Sequence, residues 1–266
     1  MTIFNMMGGG FQHDICSVAN NVPKNIKWDK TNFEGDISIH IDLAIFNIKP
    51  NKNKINFAWM CESPFYTRQF ENEFDNPIVK KHMFENFKYI FSCNKKFIER
   101  HPEVKYVIPT ACPWVVDRQV FPKSKLVSII ASNKREAPGH VLRHIIVDTY
   151  KGHVDVFGKG YVSIESKNLG LNNYMFSYTI ENSKDNGYFT EKIADCFATG
   201  TIPVYWGDET ISDYFVEDGI IRLNDDFDPS MLTIELYQSK LTSVMENYQR
   251  VINFPCPEDY IYSNYV

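Results

Sequence analysis

The sequence lacks several features that would settle its class at once. No apolar run approaches the roughly 20 residues that cross a bilayer, so no transmembrane segment is expected. The first residues, MTIFNMMGGG, lack a basic start and a long apolar stretch, so no signal peptide is expected either. The six cysteines, Cys16, Cys61, Cys93, Cys112, Cys196 and Cys256, are scattered and never spaced as CxxC. That spacing suggests neither a zinc knuckle nor a redox motif. A basic surplus is absent: the net charge is −5, which argues against a nucleic-acid partner. GxGxxG is absent too, so a nicotinamide or flavin enzyme is not indicated. Low-complexity tracts and internal repeats are missing. The expectation is a soluble, intracellular and cytoplasmic protein.

What is present is a globular composition of 266 residues, 44% of them hydrophobic and 15% aromatic, enough for two mid-sized domains. In the second half, apolar runs at 126–132, 154–158, 176–182, 201–207 and 220–224 read as strands buried on both faces of a parallel sheet. Helical patterns at 139–152 and 190–199 separate them, and a long helix is expected from about 230 to 248. The first half is similar but noisier. Strands are predicted at 2–7, 37–46, 55–61, 89–94 and 105–111, with a helix within 70–88 and polar loops at 21–36 and 48–54. Residues 113–125 form the best linker. The alternation predicts two Rossmann-like doubly wound domains, 1–115 and 116–266, facing a cleft where ligands of open α/β sheets bind.

The stretch ENSKDNGYFTEKIADCFATGTIPVYWG, residues 181–207, puts an unusual number of polar groups at the end of one predicted strand. Thr190 fits as the N-cap of the next helix and Gly200 as its stop. A helix N-terminus suits phosphate. Lys192 in the first turn is misplaced for stability, because cations prefer the other end of a helix. That mismatch points to an anionic ligand. Glu191 and Asn182 could serve sugar hydroxyls, and Tyr188 a ring or a phosphate. A solvated polar crossover is the bland alternative.

This stretch resembles the signature of glycosyltransferase family ten, the α1,3/4-fucosyltransferases: an ENS triplet, a spacer, YFTEK, a short helix and a PV strand. LVSIIASN followed by GHVLRH resembles the family's VSN strand and the helix with a phosphate-binding Arg, here Arg143. VDVFGKG resembles its VDxFG turn at Gly158 and Lys159. FAWMCESPFY resembles its ESP segment. The resemblance covers about residues 55–225. The Thr-Ile-Glu run before Asn182 departs from the usual Phe-Glu-Asn, and the animal enzymes' membrane anchor and stem are not seen.

The resemblance implies a GT-B fold and an inverting glycosyltransferase. It would move fucose from GDP-fucose to a hydroxyl of an oligosaccharide or other glycan. Another donor such as UDP-xylose or GDP-mannose, or a non-catalytic binder of nucleotide sugar or glycan, remains open. Glu62 would be the catalytic base. Arg143 and Lys192 would hold the diphosphate. Ser132, Asn133, Asn182, Tyr188, Glu191, Gly158 and Lys159 would line the donor pocket. No cofactor is required by such a reaction, and a divalent cation (Mg or Mn) would at most stimulate it. Gly9, Gly10 and His13 lie in a loop that could reach donor or acceptor, though a plain strand–helix turn explains it equally. Asp226-Phe227-Asp228 spells DxD, but acids entering a helix at Pro229 account for it better than a metal site. Phe65, Tyr66 and Trp114 could stack on a sugar, with core packing as their default.

Overall fold

The computed structural model describes residues 1–8, 11, 13, 15–108 and 111–266. The chain forms two compact units. Unit 1 holds residues 1–110 and 255–266, and unit 2 holds residues 111–254. The sequence reading grouped 255–266 with the residues before it.

Unit 1 contains the strands β1 (Thr2–Met7), β2 (Ile26–Asp29), β3 (Ile37–Ile41), β4 (Ile55–Met60), β5 (Tyr89–Ser92) and β6 (Lys105–Tyr106). They make a parallel sheet in the order β2-β1-β3-β4-β5-β6. Between them run α1 (Ala44–Asn47), α2 (Pro64–Glu73), α3 (Pro77–Asn86) and α4 (Lys95–Arg100). Alternation along β4 divides the core between the two faces. Phe57 and Trp59 join one apolar cluster, and Ala58 and Met60 the other. A strand apolar on both sides must be covered on both sides, which is why the run 55–61 reads without alternation.

Unit 2 repeats the plan with β7 (Lys125–Ile130), β8 (Asp155–Phe157), β9 (Tyr174–Ile180), β10 (Ile202–Trp206) and β11 (Ile221–Arg222). Its helices are α5 (Pro138–Thr149), α6 (Asn168–Leu171), α7 (Glu191–Thr199), α8 (Ile234–Ser239) and α9 (Leu241–Asn253). α10 (Pro257–Tyr265) then belongs to unit 1. The sheet order β11-β10-β9-β7-β8 is again all parallel. Counted from each unit's first strand, the sheets run 2-1-3-4-5-6 in unit 1 and 2-1-3-4-5 in unit 2, so the two doubly wound units expected from sequence are present. In each, the winding reverses beside the first strand: between β1 and β3, and between β7 and β9. That reversal opens a crevice at the carboxyl ends of the strands, the usual ligand position in such sheets.

Several expected elements differ in detail. The helix expected within 70–88 is α3, which Pro77 starts at its N1 position, and α2 at Pro64–Glu73 precedes it unforeseen. The long helix expected at 230–248 is a short 3₁₀ turn, then α8, then α9, with a break at Lys240. The polar stretch 21–36 contains β2, an edge strand. Among the described residues, no helix is long and apolar enough to cross a membrane.

Candidate active site

In unit 2 a cavity of about 260 Å³ lies at the reversal point. Its lining includes Ile130, the last residue of β7, with Ala131 and Ser132 after it, Ser177 to Ile180 at the end of β9, and Glu191, Lys192, Asp195 and Cys196 of α7. Arg143, Gly158, Lys159 and Lys167 complete its polar wall. Four basic side chains face two acidic ones there, an arrangement suited to an anion.

Two glycines let the backbone close around this space. A Cβ on Gly139, at the start of α5, would lie 1.7 Å from the carbonyl oxygen of Glu181. Any side chain would therefore push α5 away from the end of β9. Gly158 has φ +111°, and its Cβ would lie 2.1 Å from the Ala131 carbonyl oxygen. Both the left-handed backbone and the close approach require glycine.

Arg143 is buried on α5. Its Nε donates to the Ile180 carbonyl at 3.1 Å, and its Nη2 donates to the same oxygen and to Asn182 Oδ1 at 3.2 Å. The guanidinium is thus fixed across the end of β9, with its position set before any ligand arrives.

Glu181 is the residue whose importance sequence reasoning missed in its own segment. It is 0% exposed. Its carboxylate accepts from the Thr190 backbone N–H at 2.8 Å, the Thr190 hydroxyl at 2.7 Å and Lys192 Nζ at 3.1 Å. Thr190 is the N-cap residue, as expected, but its side chain does not cap the helix. The hydroxyl is drawn instead to Glu181, and it also accepts from Lys192 Nζ at 2.6 Å. The misplaced Lys192 therefore has an anionic neighbour within the chain, while its ammonium still borders the cavity.

Lys167 was also missed. It sits just before α6, outside every motif, and no local signal marks it. Its Nζ lies 2.8 Å from Glu191 Oε1 and 2.8 Å from Asp195 Oδ2, and 4.6 Å from the centre of the Trp114 ring. Asp195 Oδ1 in turn accepts from the backbone N–H groups of Trp114 and Val115. Burial alone would raise the Glu191 carboxyl, but Lys167 and Lys192 outweigh it and hold the group down at about 2. For Asp195 burial prevails and the carboxyl is raised despite Lys167. Lys167 is itself raised: burial opposes its charge, and the two carboxylates more than compensate. Two buried acids around one lysine make a rigid floor for the cavity.

The other expected residues fall in different places. Ser132, Gly158, Lys159, Arg143, Glu191 and Lys192 line the cavity. Asn182 touches it only through Arg143. Tyr188 is 2% exposed and lies outside the lining. Asn133 is exposed, packed under Gly160. Gly9 and Gly10 lie outside the described residues, and the His13 carbonyl accepts from Lys30 Nζ at 2.7 Å. Phe65 and Tyr66 are partly exposed and pack edge to face, 5.1 Å apart. Trp114 is the ring under Lys167. Asp228 accepts from the Ser230 N–H and hydroxyl at the 3₁₀ turn, the helix-entry role expected for it.

In unit 1, Glu62 is exposed at the turn after β4, at the carboxyl edge of that sheet. Asp42, at the end of β3, holds this turn. Its Oδ1 accepts from the N–H groups of Cys61 at 2.9 Å and Glu62 at 3.1 Å. Burial raises the Asp42 carboxyl, and these hydrogen bonds only partly offset it. Sequence reasoning missed Asp42, whose φ of 48° turns the chain so that the side chain can reach the next strand's exit.

Comparison with known proteins adds to this geometry. Residues 120–254 match the family described as Glycosyltransferase family 10 (fucosyltransferase) C-term. The chain is 28% identical over 177 residues to the alpha-(1,3)-fucosyltransferase FucT of Helicobacter pylori. That match covers 63% of this chain and 35% of FucT, so the chain spans about a third of that relative's length. Among solved structures, an alpha1,3-fucosyltransferase resembles it with 19% identity and a TM-score of 0.48, over 87% of this chain and 73% of the other. The same coverage is found for an alpha1,3-fucosyltransferase with GDP-fucose, at 17% identity and a TM-score of 0.45. With its C-terminal unit matched almost throughout, the chain belongs to glycosyltransferase family 10, the fucosyltransferases.

Proposed function

We propose that this protein is an inverting glycosyltransferase that moves fucose from GDP-fucose to a hydroxyl of a glycan acceptor. The observation that carries the reading is the cationic cavity of unit 2 at the sheet's reversal point, lined by Arg143, Lys159, Lys167 and Lys192. The relative FucT is named an alpha-(1,3)-fucosyltransferase, which supports fucose as the sugar. The cavity is smaller than the ~300–1,000 Å³ that encloses a whole drug-sized ligand. It fits the diphosphate and its neighbours, with the rest of the nucleotide sugar extending beyond it.

In this reading, Arg143 and Lys192 bind the diphosphate. Departure of the sugar leaves added negative charge on that group, and fixed cations stabilise it as it develops. Glu191, ionised well below neutral pH, acts as a hydrogen-bond acceptor for hydroxyls rather than as an acid. Glu62 removes the proton of the acceptor hydroxyl, a role worth ~10²–10⁴-fold in rate. One base and direct displacement by the acceptor oxygen invert the anomeric carbon without a covalent sugar–enzyme intermediate. No step asks for a resident metal, and Mg or Mn would act at most on release of the nucleotide.

The test is Glu62→Gln, assayed with radiolabelled GDP-fucose on an array of glycans. The expected result is unchanged GDP affinity and a loss of transfer of at least about a hundredfold. Undiminished transfer would mean that the base is another group. A product that keeps the donor's anomeric configuration, read by NMR, would overturn the inverting mechanism.

A further inference from the structure

α10 carries two buried acids for which the described residues show no ion pair. Glu258 is 0% exposed and Asp259 is 8% exposed, both in the first turn of α10. Glu258 Oε1 accepts from the backbone N–H of Ser17 and from Trp28 Nε1. Asp259 Oδ1 accepts from the backbone N–H of Asn25 at 2.9 Å and of Lys24 at 3.0 Å. The second oxygen of each acid meets a thiol. Cys16 Sγ lies 3.3 Å from Glu258 Oε2, and Cys256 Sγ lies 3.3 Å from Asp259 Oδ2. Cys16, Cys256 and Glu258 offer ligand atoms that all fall within 4.8 Å of one another, and all three residues are buried.

We propose that Cys16, Cys256 and Glu258 form a binding site for a zinc-class divalent cation, with the fourth position left to solvent, which clips α10 to the segment preceding β2. The site is independent of the active-site reading. Around a tetrahedral zinc, with bonds of ~2.0–2.3 Å to oxygen and sulfur, neighbouring ligand atoms lie roughly 3.3–3.8 Å apart. The 3.3 Å between Cys16 Sγ and Glu258 Oε2 matches that edge length. Thiolates select a soft or borderline cation over magnesium or calcium. The N–H groups of Ser17 and Trp28 hold the other oxygen of Glu258, as outer partners orient the ligands of metal sites.

Binding M²⁺ with release of one proton from each thiol leaves the net charge of the site unchanged, and the cation then bonds the Glu258 oxygen that the Cys16 thiol meets. A Cys16–Cys256 disulfide instead removes that S–H donor and leaves Glu258 Oε2 without it, whereas Asp259 Oδ2 keeps the Lys24 N–H at 2.9 Å. No zinc spacing is visible along the chain because Cys16 and Cys256 are 240 positions apart and meet only through the fold.

The full chain, expressed in zinc-supplemented medium and purified without chelator, should carry about one zinc per chain by elemental mass spectrometry. Metal-stripped protein titrated with Co²⁺ should develop a thiolate-to-cobalt charge-transfer band, which zinc then abolishes. Glu258→Gln and Cys16→Ser should each lose the band, with circular dichroism confirming that the variant folds. The cobalt titration of the unaltered chain decides the matter even where a variant does not fold. Zinc-free protein that gives no cobalt band would overturn the proposal. So would an intact mass two units low with no metal bound, which would identify a disulfide.

Discussion

Replacing Lys167 by Met tests the floor of the cavity. Lys167 Nζ bonds both Glu191 and Asp195 at 2.8 Å, and both acids are buried. The substitution keeps much of the side chain's volume and strands the two carboxylates. Breaking a buried ion pair by removing one partner costs about 3–5 kcal/mol. The lower end applies here, because Lys192 remains 3.8 Å from Glu191 and Asp195 keeps the N–H groups of Trp114 and Val115. A loss of ~3 kcal/mol in a unit of this size lowers the melting temperature by roughly 6–12 °C. The pH dependence gives a second check. The Glu191 carboxyl is held at about 2 against an ordinary 4.5. Its contribution is therefore present above the ordinary value and is lost as pH falls towards 2. Without Lys167, burial is the stronger influence and the carboxyl titrates higher. The variant then recovers stability by taking up a proton as pH falls. Thermal unfolding at pH 7 and pH 4 should show a wide gap between the two proteins that narrows at pH 4. Equal melting at pH 7, or a gap of the same size at both, would refute the reasoning.

Gly139→Ala should lower the melting temperature by an amount equivalent to at least ~1–3 kcal/mol and weaken nucleotide binding, because its Cβ would lie 1.7 Å from the Glu181 carbonyl oxygen; wild-type values in both calorimetric scanning and titration would refute the close packing. Lys123→Met removes a buried ammonium that donates to the carbonyls of Asn172 and Thr199 at 3.0 and 2.7 Å, and the stranded acceptors should cost ~1–3 kcal/mol in a denaturant titration. Burial depresses this lysine from 10.5 to about 7, so it makes the wild type gain stability as pH rises between those values; the variant should lack that gain, and an identical pH profile would contradict it.

The C-terminal unit was largely legible in the sequence because its strands are buried on both faces. Residues 126–132, 176–182 and 201–207 are short, largely apolar runs rich in β-branched and aromatic residues and separated by helical patterns, and Gly200, in the left-handed region at φ 74°, ends α7 as expected. β2 was not legible: its four residues, Ile26–Asp29, form an edge strand with Lys27 exposed, inside a polar stretch. α10 was missed as well, since what fixes it is Glu258 and Asp259 reaching residues more than 200 positions earlier. Within the site, Arg143, Glu191 and Lys192 could be found because they fall in a motif. Lys167, Glu181 and Asp42 could not, because each works on a neighbour brought close by folding rather than by spacing. Tyr188 shows the opposite case, a motif residue whose side chain packs inside the protein away from the cavity lining.

The most direct measurement is a calorimetric titration of the chain with GDP and GDP-fucose, with UDP and NAD as controls, repeated on Lys192→Ala. GDP and GDP-fucose should bind at one site. Lys192→Ala should weaken both by more than about tenfold, through loss of a charge-assisted phosphate contact at a helix N-terminus. Binding by none of the nucleotides, or equal affinity in the variant, would contradict the assignment of the unit 2 cavity as the donor site.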